Sequence, residues 1–260
     1  MILIRTQGAR GLSQCEQVEK DCWIDARNVS KEDLSRLEKE FGIAGELLAD
    51  IMDIDEQARI EKEDEYTALI VRLPVFDDSF EVSFFTVPVG IVIYPDKIIT
   101  ICQHTSDVLD DLTGHRVRDL SITNKSSFVL HLMGRAALSY LRALKELNKK
   151  TAIIERELQK SVRNNELVQL LTIQKSLVFF TTSLKSNELL LEKLQKSPLI
   201  RFGEDEQDLL EDVLTDNKQA IEMANIYSSI LTGTMDAFAS VISNNLNIVM
   251  RRLTIVSIAL

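Results

Sequence analysis

Hydrophobic and polar residues follow two different periods along this chain, and the change near Asn124 divides it. Upstream, short apolar runs rich in β-branched residues are separated by turn formers, which is the pattern of strands. CWIDAR (22–27), TALIVRLPVF (67–76), FEVSFFTVPVGIVIY (80–94) and KIITICQ (97–103) are such runs, and the opening MILIRTQGARG reads as a first strand. The last two runs meet at Pro95-Asp96, turn chemistry that suits a hairpin. Two short helices interrupt the strands. Ser30 with Asp33 three residues on marks an N-cap ahead of DLSRLEKEF, and GELLADIMDI (45–54) keeps helical spacing. Residues 1–123 are therefore expected to form an α/β domain.

Downstream the period is helical. Ala137, Leu141, Leu144, Leu147, Ile154, Leu158 and Val162 keep one face, and a second run from Glu166 to Leu194 does the same. A break at Ser197-Pro198 precedes the acidic GEDEQDLLED (203–212), after which no Pro and a single interior Gly, Gly233, oppose a helix running to the end. Residues 124–260 are expected to form long antiparallel helices, the last spanning about 203–260. At 1.5 Å rise per residue that helix is roughly 80 Å long.

The final helix carries two stripes. Ala220, Ala224, Tyr227, Leu231, Thr234, Phe238, Val241, Asn245 and Ile248 are spaced alternately four and three, as in a seam buried against a neighbouring helix. An isolated helix cannot cover such a seam, so assembly is expected. Ser229, Gly233, Asp236, Ser240, Ser243, Asn247 and Met250 share the period but are small, polar or flexible. Several copies of that face would suit a wet axis at a membrane.

Composition narrows the partners. A hydrophobic share of 45 % over 260 residues supplies a core for one or two domains. Forty acidic against thirty basic side chains leave a net charge of -10, which argues against nucleic acid and for partners that are cations or carry no charge. Cys15, Cys22 and Cys102 are odd in number and form no C-x-x-C, so neither a disulfide framework nor a zinc site is expected and a reducing compartment is the simplest setting. The amino end lacks the features of a signal peptide. LTIVSIAL is too short to span a bilayer, which takes ~20 apolar residues. Coming just after Arg251 and Arg252, it looks like the cytoplasmic entrance of a membrane helix.

Carboxylates are the candidate chemistry. Asp50 and Asp53 lie on the short helix, and Glu204, Asp205, Glu206, Asp208, Glu211 and Asp212 crowd the start of the long one, where acids also complement the helix dipole. Asp236 lies deep in that helix on a stripe otherwise free of charge. Such oxygens suit magnesium and calcium, and magnesium in particular often keeps its waters and touches only one or two carboxylates. His104, His115 and His131 share no metal-ligand spacing, and G-x-S-x-G, G-x-x-x-x-G-K-[ST] and G-x-G-x-x-G are absent, so no enzyme activity is expected.

Three segments, FGIAGELLADIMDIDEQARIEKEDEY, EVSFFTVPVGIVIYPDKIITI and SNNLNIVMRRLTI, together resemble the CorA-type magnesium transporter family in order and spacing, from about Trp23 to Leu260. The resemblance implies an α+β fold: an N-terminal α/β/α sandwich, long antiparallel helices and a C-terminal stalk helix. It implies a homopentameric funnel on the cytoplasmic face of the cell membrane, joined to the bilayer by segments beyond Leu260. Residue roles follow from it. Asp50 of L-x-D-I and Asp212 of LLEDVL fall on a pair that holds a regulatory magnesium between subunits. Asp236, Asn247, Met250 and Leu253 fall on stalk positions that face the pore. Ala49 stands where relatives often carry a glutamate, and Lys149 or Lys150 replaces a long-helix acid that would help a second ion. The family's Gly-Met-Asn signature follows the first membrane helix and lies outside this sequence, so the transported ion stays open among Mg2+, Co2+, Ni2+ and the Zn2+ of related transporters. The leading expectation is a magnesium-sensing and gating domain. The alternatives are a soluble helical scaffold joined through the Ala220 to Ile248 seam, and a metal-dependent hydrolase.

Overall fold

Alternate residues of the central strands are claimed by different layers. The structure, a computed structural model, describes residues 1–8, 11–114, 117, 120–160, 164–197, 199–200 and 202–259, and leaves out the side chains at 159, 160, 164, 245, 246, 248, 249, 252, 253, 256 and 259. Its strands are β1 (Ile2–Gly8), β2 (Gly11–Cys15), β3 (Cys22–Arg27), β4 (Arg59–Lys62), β5 (Thr67–Phe76), β6 (Phe84–Ile93) and β7 (Lys97–Cys102). Its helices are α1 (Lys31–Phe41), α2 (Gly45–Met52), α3 (Asp107–Thr113), α4 (Lys125–Lys160), α5 (Asn164–Lys196) and α6 (Glu204–Ala259). The strands form one sheet in the order β2-β1-β3-β7-β6-β5-β4, antiparallel throughout except between β3 and β7.

Leu69, Val71 and Leu73 of β5 pack with α3, α4, the end of α5 and the first turns of α6, whereas Ala68 and Ile70 pack with α1 and α2. Burial on both faces is why the central strands read as continuous apolar runs. The expected α/β/α sandwich with long helices is what the structure shows. The Ser30 capping box forms with Asp33, and α1 ends at Gly42 in the left-handed conformation that glycine adopts without strain.

Against β6, α2 is pressed so closely that a Cβ at Gly90 would collide with Ile51, whose Cγ1 would lie 2.8 Å away. Gly90→Ala is therefore expected to cost about 1–3 kcal/mol in urea unfolding. It also pushes on the helix turn that carries Asp50. A variant as stable as the wild type would show that α2 yields freely.

Beyond the sandwich α4, α5 and α6 pack together, and here one expectation is corrected. Ala220, Ala224 and Leu231 are buried, with Tyr227 and Phe238 partly so, among Leu144, Leu147 and Ile154 of α4 and Leu177, Phe180 and Leu184 of α5. Thr234 Oγ1 donates to Glu155 Oε1 at 2.9 Å. This half of the seam is covered by the chain's own helices and needs no second copy. Only beyond it is Val241 exposed, while the side chains of Asn245 and Ile248, like Val162, lie outside the described residues. Among the described residues Asn165–Lys196 is the one helix long and apolar enough to cross a membrane. Some of its apolar residues serve the packing above and its buried Ser183 and Asn187 bond to the sheet, while Val168, Leu171, Val178, Phe179 and Leu189 are exposed.

Candidate metal site and stalk surface

Asp50 occupies the last turn of α2, and its Oδ2 accepts from Arg59 Nη2 at 2.6 Å. Arg59 opens the edge strand β4. Its Nε donates to Glu61 Oε1 at 2.6 Å and its Nη1 pairs with Glu56, so one guanidinium faces three carboxylates. Partial burial works against its charge, but the bonds to Glu61 and Asp50 outweigh that and hold its pKa above the usual value.

The loop between Asp50 and Arg59 is fixed from behind. Arg72, buried in β5, donates from Nη1 to the carbonyls of Ile54 (2.6 Å) and Glu56 (2.9 Å), and from Nη2 to the carbonyl and hydroxyl of Thr86 (3.1 and 2.8 Å). Its Nε donates to Ser183 Oγ at 3.3 Å, and its backbone is bracketed by Asn187, which accepts from the N–H at 2.9 Å and donates to the carbonyl at 2.8 Å. Burial lowers the Arg72 pKa, with Tyr140 and the acids Asp55, Glu56 and Asp53 only partly compensating. Ala58 N donates to Ser186 Oγ at 2.7 Å. Asn217 of α6 donates to the Leu184 carbonyl at 3.0 Å, so α5 connects this loop to the stalk helix.

Asp212 is exposed on α6, beside Val213, which packs into the core shared with α4. Asp50 belongs to the α1–α2 layer and Asp212 to the opposite one, so one chain does not bring them together. Among the described residues no three His, Cys, Asp or Glu side chains converge as a metal site. Glu206 is accounted for as a helix-start brace: Oε2 accepts from Gly203 N at 2.7 Å and Oε1 from Asn124 Nδ2 at 2.6 Å. The Asn124 bond is the main cause that holds its carboxyl below the usual range. Lys150 lies over the rings of Phe76 and Phe84 at 5.1 and 4.8 Å.

Along α6, Ser229, Gly233, Asp236, Ser240, Ser243, Asn247 and Met250 are all exposed, a continuous face distinct from the covered seam. The backbone of Leu253 continues that helix, but its side chain, like His115, lies outside the described residues. His104 packs edge-on against Phe85, with the Asp77 carboxylate near enough to act on its charge, and among the described residues it belongs to no group of three metal-binding side chains. Sequence reasoning missed Arg59 with its partners Glu56 and Glu61, and it missed Arg72 with its partners Ser183 and Asn187. For Arg72 the available signal was a lone charge in the middle of an otherwise apolar ten-residue strand.

A sandwich feeding one long exposed polar stripe is a specific arrangement, and a family model described as CorA-like Mg2+ transporter protein matches residues 19–260. The chain belongs to this CorA-like family. The cobalt/magnesium transport protein CorA of Methanocaldococcus jannaschii is 27 % identical over 241 residues, covering 90 % of this chain and 74 % of that protein. The complete structure of the CorA magnesium transporter from the same organism superposes with a TM-score of 0.84 at 23 % identity, covering 98 % of this chain and 82 % of that one. The soluble domain of that CorA superposes with a TM-score of 0.78 at 23 % identity and covers 91 % of this chain and 95 % of its own. The likeness includes the long C-terminal helix as well as the sandwich.

Proposed function

We propose that this chain is the cytoplasmic magnesium-sensing and gating domain of a homopentameric channel for Mg2+ or Co2+, joined to the membrane by segments beyond Leu260. The observation that carries this reading is the division of α6 into a seam covered by α4 and α5 and a small polar stripe left exposed. Where α4 and α5 already cover the apolar side of the helix, its polar side is free to line an axis. In this reading residues 1–123 sense and residues 124–260 transmit, although one hydrophobic core runs through both.

Asp50 and Asp212 suit a hydrated divalent ion as half-sites. The Asp50 side chain is 42 % exposed with only Oδ2 engaged, and Asp212 is exposed on the far layer, so each subunit offers one carboxylate to each neighbour. Magnesium needs few protein oxygens because it retains its waters. At low magnesium the facing carboxylates repel and the subunits splay; at high magnesium a bridging ion favours the closed state by its preference for that state. Asp236 and Asn247 face the axis, where oxygens hydrogen-bond the ion's hydration shell. Asn247→Leu in the full-length protein is expected to impair magnesium flux at least tenfold while the melting temperature stays within a degree or so. Unchanged flux would remove Asn247 from the pore.

A further inference from the structure

The bond between Asp50 and Arg59 gives the regulatory position a cation of its own. Arg59 Nη2 is 2.6 Å from Asp50 Oδ2, the same oxygen-rich edge a divalent ion would approach. A guanidinium and a dipositive ion repel when they share one carboxylate, so both cannot hold Asp50 at full strength. The guanidinium also has somewhere to go. Glu61 at 2.6 Å and Glu56 hold its other nitrogens, so leaving Asp50 breaks one of three ion pairs. The carbonyls of Ile54 and Glu56 are tied to buried Arg72, which keeps Glu56 beside Arg59 while Asp50 changes partner.

We propose that Arg59 is a tethered competitor for the divalent cation at Asp50, so that the ion binds by displacing the guanidinium onto Glu56 and Glu61. This rests on the reading of Asp50 as a regulatory ligand. It makes Arg59 the residue that sets the magnesium concentration at which the site fills. Arginine suits the role because its planar fork engages several carboxylates at once and its charge is permanent. A purely structural Arg59 would be needed equally with and without the ion. A competitor stabilises only the ion-free state.

The test is thermal unfolding of the whole chain against magnesium at constant ionic strength, for the wild type, Arg59→Gln, Arg59→Lys and Asp50→Asn. Arg59→Gln is expected to melt lower than the wild type without magnesium, because three carboxylates lose their cation. It is expected to reach half-maximal stabilisation at a magnesium concentration about three- to tenfold lower. Arg59→Lys, which keeps the charge and loses the fork, shifts the midpoint the same way by less, and it carries the test should Arg59→Gln not fold. A midpoint unchanged or raised in the Arg59 variants, with the response still lost in Asp50→Asn, overturns the competition and leaves the regulatory reading standing. A wild-type response in Asp50→Asn removes Asp50 as a ligand, and the competition falls with it.

Discussion

Arg72→Met is expected to destabilise the chain by about 3–4 kcal/mol in urea unfolding, more than any other single substitution considered. The guanidinium is buried, and no carboxylate lies within salt-bridge distance of it among the described residues. It is held by carbonyls and hydroxyls of the Asp50 loop, β6 and α5. Removing it strands several buried acceptors at once, each worth about 1–3 kcal/mol when left unsatisfied, though relaxation and entering water recover part of the loss. Arg72→Lys is expected to recover less than half, because an ammonium cannot reach the same diverging set of acceptors. A loss below about 1 kcal/mol for Arg72→Met would mean that the loop is not anchored through this residue.

Magnesium is expected to stabilise the assembled wild-type chain by about 2.7 kcal/mol at a hundred times its dissociation constant, since an ion bound only to the native assembly acts by mass action. Asp50→Asn and Asp212→Asn each remove one of two bridging charges, and each is expected to abolish most of that gain while leaving the magnesium-free stability little changed. The same substitutions are expected to leave the funnel open to proteolysis at high magnesium. Equal magnesium dependence in both variants and the wild type would dissociate these aspartates from regulation.

Much of this architecture is legible in hydrophobic period. The five interior strands follow from apolar runs, the Ser30 cap from its capping pair and the long α6 from an unbroken helical period. The elements missed are short: β2 (GLSQC) and β4 (RIEK) are edge strands with little apolar content, held by backbone pairing, and α3 (DVLDDLT) is a seven-residue helix, too brief to show a period although Val108, Leu109 and Leu112 are buried. The seam of α6 was legible as a buried face but misassigned to a neighbouring copy, because periodicity reports that a face is covered without saying by which helix. Its cover is α4 and α5 of the same chain. The role of Arg72 is hidden for a different reason. A charge inside TALIVRLPVF reads as an outward-facing residue unless the acceptors that surround it, brought from Ile54, Thr86 and Ser183, are already known to converge. Asp50 and Asp212 sit in opposite layers, so a pairing between them has meaning only in an assembly, and it is the family resemblance, not their pattern in this sequence, that pairs them.

That pairing can be measured directly. Chains carrying only Asp50→Cys are mixed with chains carrying only Asp212→Cys, both on a Cys15→Ser background, and treated with a short thiol cross-linker in magnesium. Cys22 and Cys102 are buried, and burial pushes the Cys102 thiol up to about 11, which keeps both unreactive. Cross-linked dimers that form only in the mixture are the predicted result; mixtures that yield no more dimer than either variant alone would contradict the shared intersubunit site.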